Sequence, residues 1–288
     1  MPRTLWLASV IAFALSPAGA APEPEKGWGE AFVDLLGRRQ VQSQRLQEYS
    51  LYGVFPTNKD FPEKTPYFVD AKGTPCAVAN LMVEDGQKDL VQAIAKKNNQ
   101  VRVKDVKDGP LIDWILRSGL TQEECARIQP TYGPQTPEEI ARNKERERIR
   151  KHFETVLHEL QEHTYTSLST AMDRLEPVLR KELPAHTGFL LQKLFKHGEG
   201  ALTDKSLATN RWTGAVQTRV LYIPLEGEST PWQGPWTILQ PGQTLDLGVR
   251  GYPQGGPVLE TAILMEWKAE KEPGSPPLKL AVEKLPKN

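Results

Sequence analysis

Apolar residues in the first part of the chain recur at intervals of three and four, the spacing of one face of an α-helix. This spacing predicts four helices, near residues 30–49, 76–82, 90–95 and 110–118. Thr121 followed by Glu124 matches a capping box, so a further helix begins there and ends before Pro130. We therefore expect residues 27–133 to form a mainly helical unit.

The middle of the chain carries a longer helical pattern, which begins at Thr136-Pro137-Glu138-Glu139. Its apolar positions are Ile149, Phe153, Val156, Leu160, Leu168, Ala171, Leu175 and Val178. His163 interrupts this stripe, and Pro177 is expected to bend or end the helix. With another helix near residues 188–196, residues 137–205 are predicted to be a helical connector.

After residue 212 the apolar spacing changes to every second residue, which is typical of half-buried β-strands. Five strands are predicted, near residues 215–225, 236–239, 244–249, 259–267 and 278–282. Gln240-Pro241-Gly242-Gln243 is typical of a hairpin turn. We interpret residues 212–288 as an antiparallel β-sandwich.

Residues 1–20 have the pattern of a signal peptide. Arg3 precedes an apolar run from Leu5 to Leu15, and Ala18-Gly19-Ala20 offers small residues for cleavage. The run is shorter than the roughly 20 residues that span a bilayer, so cleavage near Ala20 is favoured over an uncleaved anchor. No later segment has transmembrane length, and we expect a periplasmic or secreted protein of bacterial type.

The composition narrows the possible partners. The 288 residues include 36 Lys and Arg against 36 Asp and Glu, which gives a formal net charge of zero. Because phosphate attraction supplies most of the affinity of nucleic-acid binders, this balance argues against nucleic acid as a partner. The 39% of hydrophobic residues excludes a disordered chain.

Cys76 and Cys125 are the two cysteines, and an even number in an exported protein favours a disulfide between them. Cys76 also follows Thr74-Pro75 at a helix start, where a thiol is activated, so a nucleophilic Cys76 is the alternative. With the disulfide, the predicted fold class is multidomain α+β. It combines a disulfide-clipped mainly helical N-terminal unit, a helical connector and a C-terminal antiparallel β-sandwich.

Motifs for metal or cofactor chemistry are not found. His158-Glu159 followed by His163 is similar to the His-Glu-x-x-His motif of zinc proteases, but the two histidines are five residues apart rather than four. On a helix this spacing turns them roughly 140° away from each other. The sequence also has no glycine-rich phosphate or dinucleotide loop. We therefore expect neither a metal nor a cofactor.

Aromatic residues in the last part of the chain are the one binding signal. Trp232 and Trp236 lie in the loop-like Pro-Trp-Gln-Gly-Pro-Trp, and Tyr252 lies in another Gly- and Pro-containing turn. Exposed aromatic rings on rigid loops bind sugars or apolar protein surfaces. The alternative is that these rings close the ends of the sandwich or pack on the helical unit.

Several short motifs within residues 27–133 resemble a segment of uncharacterised secreted bacterial proteins. They are Pro66-Tyr67-Phe68-Val69-Asp70, Gly73, Cys76-Ala77-Val78, Gly119-Leu120-Thr121, Glu124-Cys125-Ala126 and Ile128-Gln129-Pro130. The resemblance implies export and agrees with pairing of Cys76 and Cys125. It implies no reaction, ligand or catalytic residue.

Three functions are consistent with these features. The first is a non-enzymatic binding protein of the cell envelope, since an apolar helical stripe and a sandwich occur without a catalytic set. The second is a cysteine-dependent hydrolase that uses Cys76. The third is a carbohydrate-binding module in which Trp232 and Trp236 stack on a glycan.

Overall fold

The computed structural model describes residues 27–134, 139–194, 204–225, 230–247 and 261–284. Its helices are α1 Trp28–Tyr52, α2 Ala77–Glu84, α3 Lys88–Lys97, α4 Pro110–Arg117, α5 Gln122–Ile128, α6 Glu139–Glu162 and α7 Thr164–Leu179, with a 3₁₀ turn at Val103–Asp105. Its strands are β1 Thr187–Leu194, β2 Asp204–Asn210, β3 Val216–Pro224, β4 Trp232–Gln233, β5 Thr237–Leu239, β6 Thr244–Asp246, β7 Thr261–Ala269 and β8 Leu278–Lys284.

The strands form two antiparallel sheets. The larger sheet has the order β1-β7-β3, and β4 and β5 both pair with the outer side of β3. The smaller sheet has the order β6-β2-β8. One face of the larger sheet packs on the smaller sheet through Val216, Val220, Tyr222, Ile263, Met265 and Trp267. We call this face the sheet-facing side and the other the helix-facing side.

Helix α1 joins two separate hydrophobic cores. Its second half contributes Leu46 and Tyr49 to a helical core around α2 to α6. Its first half packs with α7 on the helix-facing side of the larger sheet, through Trp28, Ala31, Phe32, Leu35 and Leu36. The sheet supplies Leu221, Ile223, Ala262 and Leu264 to this second core. A single long helix therefore connects the helical part of the protein to the sheets.

The long apolar stripe in the middle of the chain is divided between the same two cores. The chain turns at His163, so α6 and α7 are separate helices. Ile149, Phe153, Val156 and Leu160 of α6 are buried in the helical core, whereas Leu168, Ala171 and Leu175 of α7 are buried against α1 and the sheet. Pro177 lies inside the last turn of α7, which ends at Leu179. The stripe thus finds its partner face inside the molecule.

The N-terminus of α1 is held by a carboxylate from the sheet. Gly27 at the N-cap has no side chain to bond the free backbone amides. Instead, the amide of Gly29 donates to Glu266 Oε1 of β7 over 2.6 Å, and Arg219 of β3 forms an ion pair with the same carboxylate. Because helix N-termini favour negative charge, buried Glu266 fixes α1 on the sheet.

Arg39 lies at the middle of α1, where four helical segments meet. Its side chain is only 2% exposed and donates to both carboxylate oxygens of Glu124 on α5, at 2.9 and 2.7 Å. It also donates to the carbonyl oxygens of Gly119 and of Leu160 at the end of α6. Glu124 in turn accepts from Ser167 Oγ of α7 at 2.6 Å. We call Arg39, Glu124 and Ser167 the central charge cluster.

Gly119 allows this close approach. Its φ is +78°, in the left-handed region that favours glycine, and a Cβ atom there would collide with the Leu35 carbonyl oxygen and the Arg39 amide nitrogen of α1. The backbone before α5 therefore lies directly against α1, which lets Arg39 bind the Gly119 carbonyl.

The predicted disulfide is wrong. Cys76 and Cys125 are both free and fully buried in the helical core. Cys76 caps α2, where its Sγ accepts from the Ala79 amide at 3.5 Å, and Cys125 lies within α5. The prediction rested on the even number of cysteines and on export, and neither determines how the two side chains are placed. The fold is therefore a helical and antiparallel β protein without a disulfide clip.

A second correction concerns the region predicted as a helix near residues 188–196. Thr187–Leu194 is instead strand β1, which pairs along its whole length with β7. Phe189 and Leu191 pack on the helix-facing core, so tertiary contacts decide this segment. Each sheet thus contains one strand that precedes residue 212, β1 in the larger sheet and β2 in the smaller sheet.

Residues 1–20 lie outside the described residues, and so does Tyr252. The signal peptide and the binding role of Tyr252 therefore remain predictions. Among the residues that are described, no helix is long and apolar enough to cross a membrane.

We expect Glu124→Gln to lower the free energy of unfolding by about 3 kcal/mol, because it leaves the Arg39 charge buried without a counter-charge. The neighbouring Glu123→Gln is the matched control, since the Glu123–Arg174 pair is exposed and contributes under about 1 kcal/mol. Urea unfolding measures both values. Equal losses in the two variants would contradict a central role for Arg39 and Glu124.

The same carboxylate also predicts a pH dependence. Burial alone would raise the pKa of Glu124, but the hydrogen bonds and charge of Arg39 outweigh it and hold the pKa below its ordinary value. The stabilisation is therefore complete above the ordinary Glu pKa of about 4.3 and is lost as the pH falls through the lower pKa of the folded state. Between pH 6 and pH 3, unfolding curves should show a smaller loss of stability for Glu124→Gln than for the wild type.

Candidate functional site

The segment that contains the two candidate tryptophans forms an irregular edge of the larger sheet. Gln233 lies opposite Leu221, and Thr237 lies opposite Thr218. Three residues, 234–236, thus stand against two residues of β3, which is a β-bulge. The amide of Gly234 donates to the Val220 carbonyl at 2.8 Å and holds the bulge in place.

Trp236 and Ile238 lie on the helix-facing side, beyond the N-terminus of α1. Arg219 and Lys268 stand over the Trp236 ring, at 4.8 and 5.0 Å from its centre. Ile238 lies opposite Gln217 of β3. Gln217 is on the same side of β3 as the core residue Leu221. Trp236 is 38% exposed and Ile238 is 57% exposed. We call Trp236, Ile238 and Gln217 the Trp236 face.

Trp232 lies on the opposite side of the sheet. Its ring packs at 5.4 Å against Tyr222, which belongs to the core between the two sheets. It is 52% exposed at the rim of that core. Trp232 and Trp236 therefore do not form one continuous platform for consecutive sugar rings. The extra residue of the bulge interrupts the alternation of side chains between the two short strands, so Trp232 and Trp236 lie on opposite sides of the sheet.

The outer backbone of this edge is poorly suited to pair with another strand. β4 has two residues and β5 has three, and Pro231 and Pro235 interrupt the sequence around them. Short, bulged edges with proline prevent strand addition from a second chain. Recognition at this edge would therefore depend on the exposed side chains rather than on backbone hydrogen bonds.

The surroundings of Cys76 do not favour a nucleophile. Its thiol is fully buried, and burial is the main cause that raises its pKa to about 12. Among the described residues, its Sγ accepts only from the Ala79 amide. His152 contacts the Arg127 carbonyl, and His158 pairs with Glu162. Within the part of the chain that the structure describes, the hydrolase hypothesis thus finds neither an accessible thiolate at Cys76 nor a histidine paired with it.

The described residues contain no group of three or more His, Cys, Asp or Glu side chains that could hold a metal ion. His158 is exposed and lies beside Glu162 on α6, while His163 is the residue at which α6 and α7 separate. His158 therefore lies within a helix, whereas His163 lies between two helices.

Ile238, Arg219 and Lys268 were not identified as site residues from the sequence. Strand alternation alone places Ile238 on the side opposite to buried Leu239, and this was the available signal. It was insufficient because the sequence does not show where α1 ends on the sheet. The position at which α1 ends on the sheet decides that Leu221 is covered while Ile238 is exposed.

We expect both cysteines to resist iodoacetamide in the native protein, since neither thiol is accessible and burial raises both pKa values. Two equivalents should react in denaturant without any reductant. Mass spectrometry of the labelled peptides measures this. Rapid native labelling of Cys76 alone would restore the nucleophile hypothesis, and two thiols that stay blocked in denaturant would contradict the free cysteines.

No protein-family model, curated protein or solved structure matches this chain. The resemblance of residues 27–133 to secreted bacterial proteins therefore stays a prediction.

Proposed function

We propose that this protein is a non-enzymatic binding protein of the cell envelope, and that it docks a protein partner through the Trp236 face. The observation that carries the proposal is the exposure of Trp236 and Ile238 next to each other on an ordered sheet. Large apolar side chains concentrated on one ordered surface are typical of interaction sites.

The environment of Trp236 supports recognition of a protein. Tryptophan and arginine are enriched among the residues that contribute most to binding at protein interfaces. Arg219 and Lys268 hold the indole of Trp236 by cation–π contacts. The hydrogen bond from the Gly234 amide to the Val220 carbonyl fixes the backbone of the bulge next to Trp236. A ring that is already ordered loses little side-chain entropy on binding.

The apolar stripe of α6 and α7, which favoured a partner on sequence grounds, does not contribute to this proposal. Its residues are buried inside the two cores next to α1. The partner surface therefore has to lie elsewhere. Beside the Trp236 face, the other large apolar residues exposed in the described regions are Val41, Trp232 and the group Leu51, Tyr52 and Val54.

Carbohydrate binding is a second candidate, and the exposed ring of Trp232 favours it. This ring stands at the rim of the two sheets and packs on Tyr222, so it could stack on one sugar. The opposite placement of Trp236 weakens this hypothesis, because a glycan could not contact both rings along one surface.

We expect Trp236→Ala and Ile238→Thr each to weaken partner binding at least tenfold, since both remove apolar contact area from the Trp236 face. The partner is first captured from a cell-envelope extract with the immobilised wild-type protein and identified. Its affinity for each purified variant is then measured by titration calorimetry. Circular dichroism establishes that each variant is folded.

Val41→Ala is the control, since it removes an exposed apolar side chain from α1 far along the helix and should leave binding unchanged. Unchanged affinity for both Trp236→Ala and Ile238→Thr would rule out this face. Binding of a cell-wall glycan that is lost in Trp232→Ala, with no protein partner, would instead establish the carbohydrate function.

A further inference from the structure

A cleft of about 330 Å³ lies at the other end of the molecule, beside the C-terminus of α1. Small-molecule sites occupy about 300–1,000 Å³, so this cleft suits a compact ligand. Phe55, Pro56, Tyr132 and Ile149 give it an apolar lining. Phe55 is held by ring contacts with Tyr49 and Phe153 of the helical core. The apolar part of the cleft is therefore formed by well-packed residues.

The two carboxylates of the cleft already have protein partners. Asp70 accepts from the amides of Thr57, Lys72 and Thr74 and from the Thr57 hydroxyl. Burial would raise the pKa of Asp70, but these hydrogen bonds outweigh it and lower the pKa. Glu145 accepts from Arg148 and from the Gly133 amide, and the Arg148 hydrogen bond lowers its pKa. Both carboxylates are therefore ionised, but their oxygens are already occupied: Asp70 by neutral donors and Glu145 by Arg148 and the Gly133 amide.

The two cations of the cleft, Lys72 and Arg146, differ from the carboxylates in their protein partners. Arg146 donates to the Tyr52 carbonyl at the end of α1, and Lys72 is exposed on the turn after Asp70. Neither cation forms an ion pair with a residue that the structure describes. The cleft therefore combines an apolar lining with two cations that have no ion-pair partner among the described residues.

The rim adds exposed apolar surface. Val54 is 64% exposed and lines the cleft, and the adjacent Tyr52 and Leu51 are 76% and 66% exposed. Exposed apolar residues beside a cleft favour a ligand that is apolar over part of its surface. This group is distinct from the Trp236 face, which lies on the larger sheet.

A second cleft, between α5, α6 and α7, provides a comparison within the same protein. Its arginines are paired, since Arg127 bonds Glu159 and Arg174 bonds Glu123. No excess positive charge is left there by these pairs. The cleft beside α1 differs from this second cleft, because Lys72 and Arg146 form no ion pair with a described residue.

We infer that the cleft beside α1 binds a small organic acid, whose carboxylate lies between Lys72 and Arg146 and whose apolar body lies on Phe55. Charge-assisted hydrogen bonds to the cations orient the carboxylate, and removal of the apolar body from water supplies the remaining affinity. This site does not depend on the proposed protein partner.

The test uses three probes with the same ring: indole-3-acetate, indole-3-acetamide and tryptamine. Titration calorimetry with the full chain should show that the acetate binds at least tenfold more tightly than the neutral amide and the cationic amine. Lys72→Gln should reduce this preference about tenfold. Lys104→Gln removes an exposed cation elsewhere and should leave it unchanged.

A matched pair of variants at the rim separates charge from shape. Val54→Glu places a carboxylate beside the cleft and should bind the acetate at least tenfold more weakly than Val54→Gln, which has nearly the same size as the glutamate variant but no charge. Val54 is exposed, so both variants should fold, which circular dichroism establishes. Equal affinity for the three probes, no binding of the acetate at millimolar concentration, or equal acetate affinity of Val54→Glu and Val54→Gln would each overturn the inference.

Discussion

The buried pair of Arg39 and Glu124 is the interaction on which the rest of the structure depends. Two charges leave water here, and they are tolerated because nearly every polar atom around them is bonded: Arg39 to two backbone carbonyls, and Glu124 to Ser167 and the Thr121 amide. The partners come from three segments besides α1: the chain that enters and forms α5, the end of α6, and α7. The cluster is satisfied only when α1, α5, α6 and α7 are all in place, so it specifies one arrangement of the helices.

Helix α1 transmits that arrangement to the sheets. Arg39 fixes its middle, the helical core holds its C-terminal half, and Glu266 binds the amide of Gly29 near its N-terminus. Trp28 adds a hydrogen bond to Thr187 at 3.0 Å. A helix of 25 residues spans about 37 Å, which separates the Trp236 face from the cleft beside Val54. The two proposed binding surfaces therefore lie near opposite ends of one rigid element.

These surfaces differ in the chemistry they offer. At the sheet, the exposed groups are an indole ring and a branched aliphatic side chain on ordered backbone, which is suited to a broad apolar contact. At the cleft, packed aromatic and aliphatic residues lie beside two cations that have no ion-pair partner among the described residues, which is suited to a compact anion. The buried thiols serve neither surface, because Cys76 and Cys125 are packed inside the helical core.

The sequence by itself determined most of the helices, the capping box at Thr121 and Glu124, and the antiparallel strands after residue 212, because local spacing and capping specify these features. It did not determine that residues 187–194 form a strand, that the cysteines stay apart or that Trp232 and Trp236 face opposite sides. Those outcomes depend on contacts between residues far apart in the chain. Only the tertiary structure decided them, since burial and pairing with distant segments outweigh local preference.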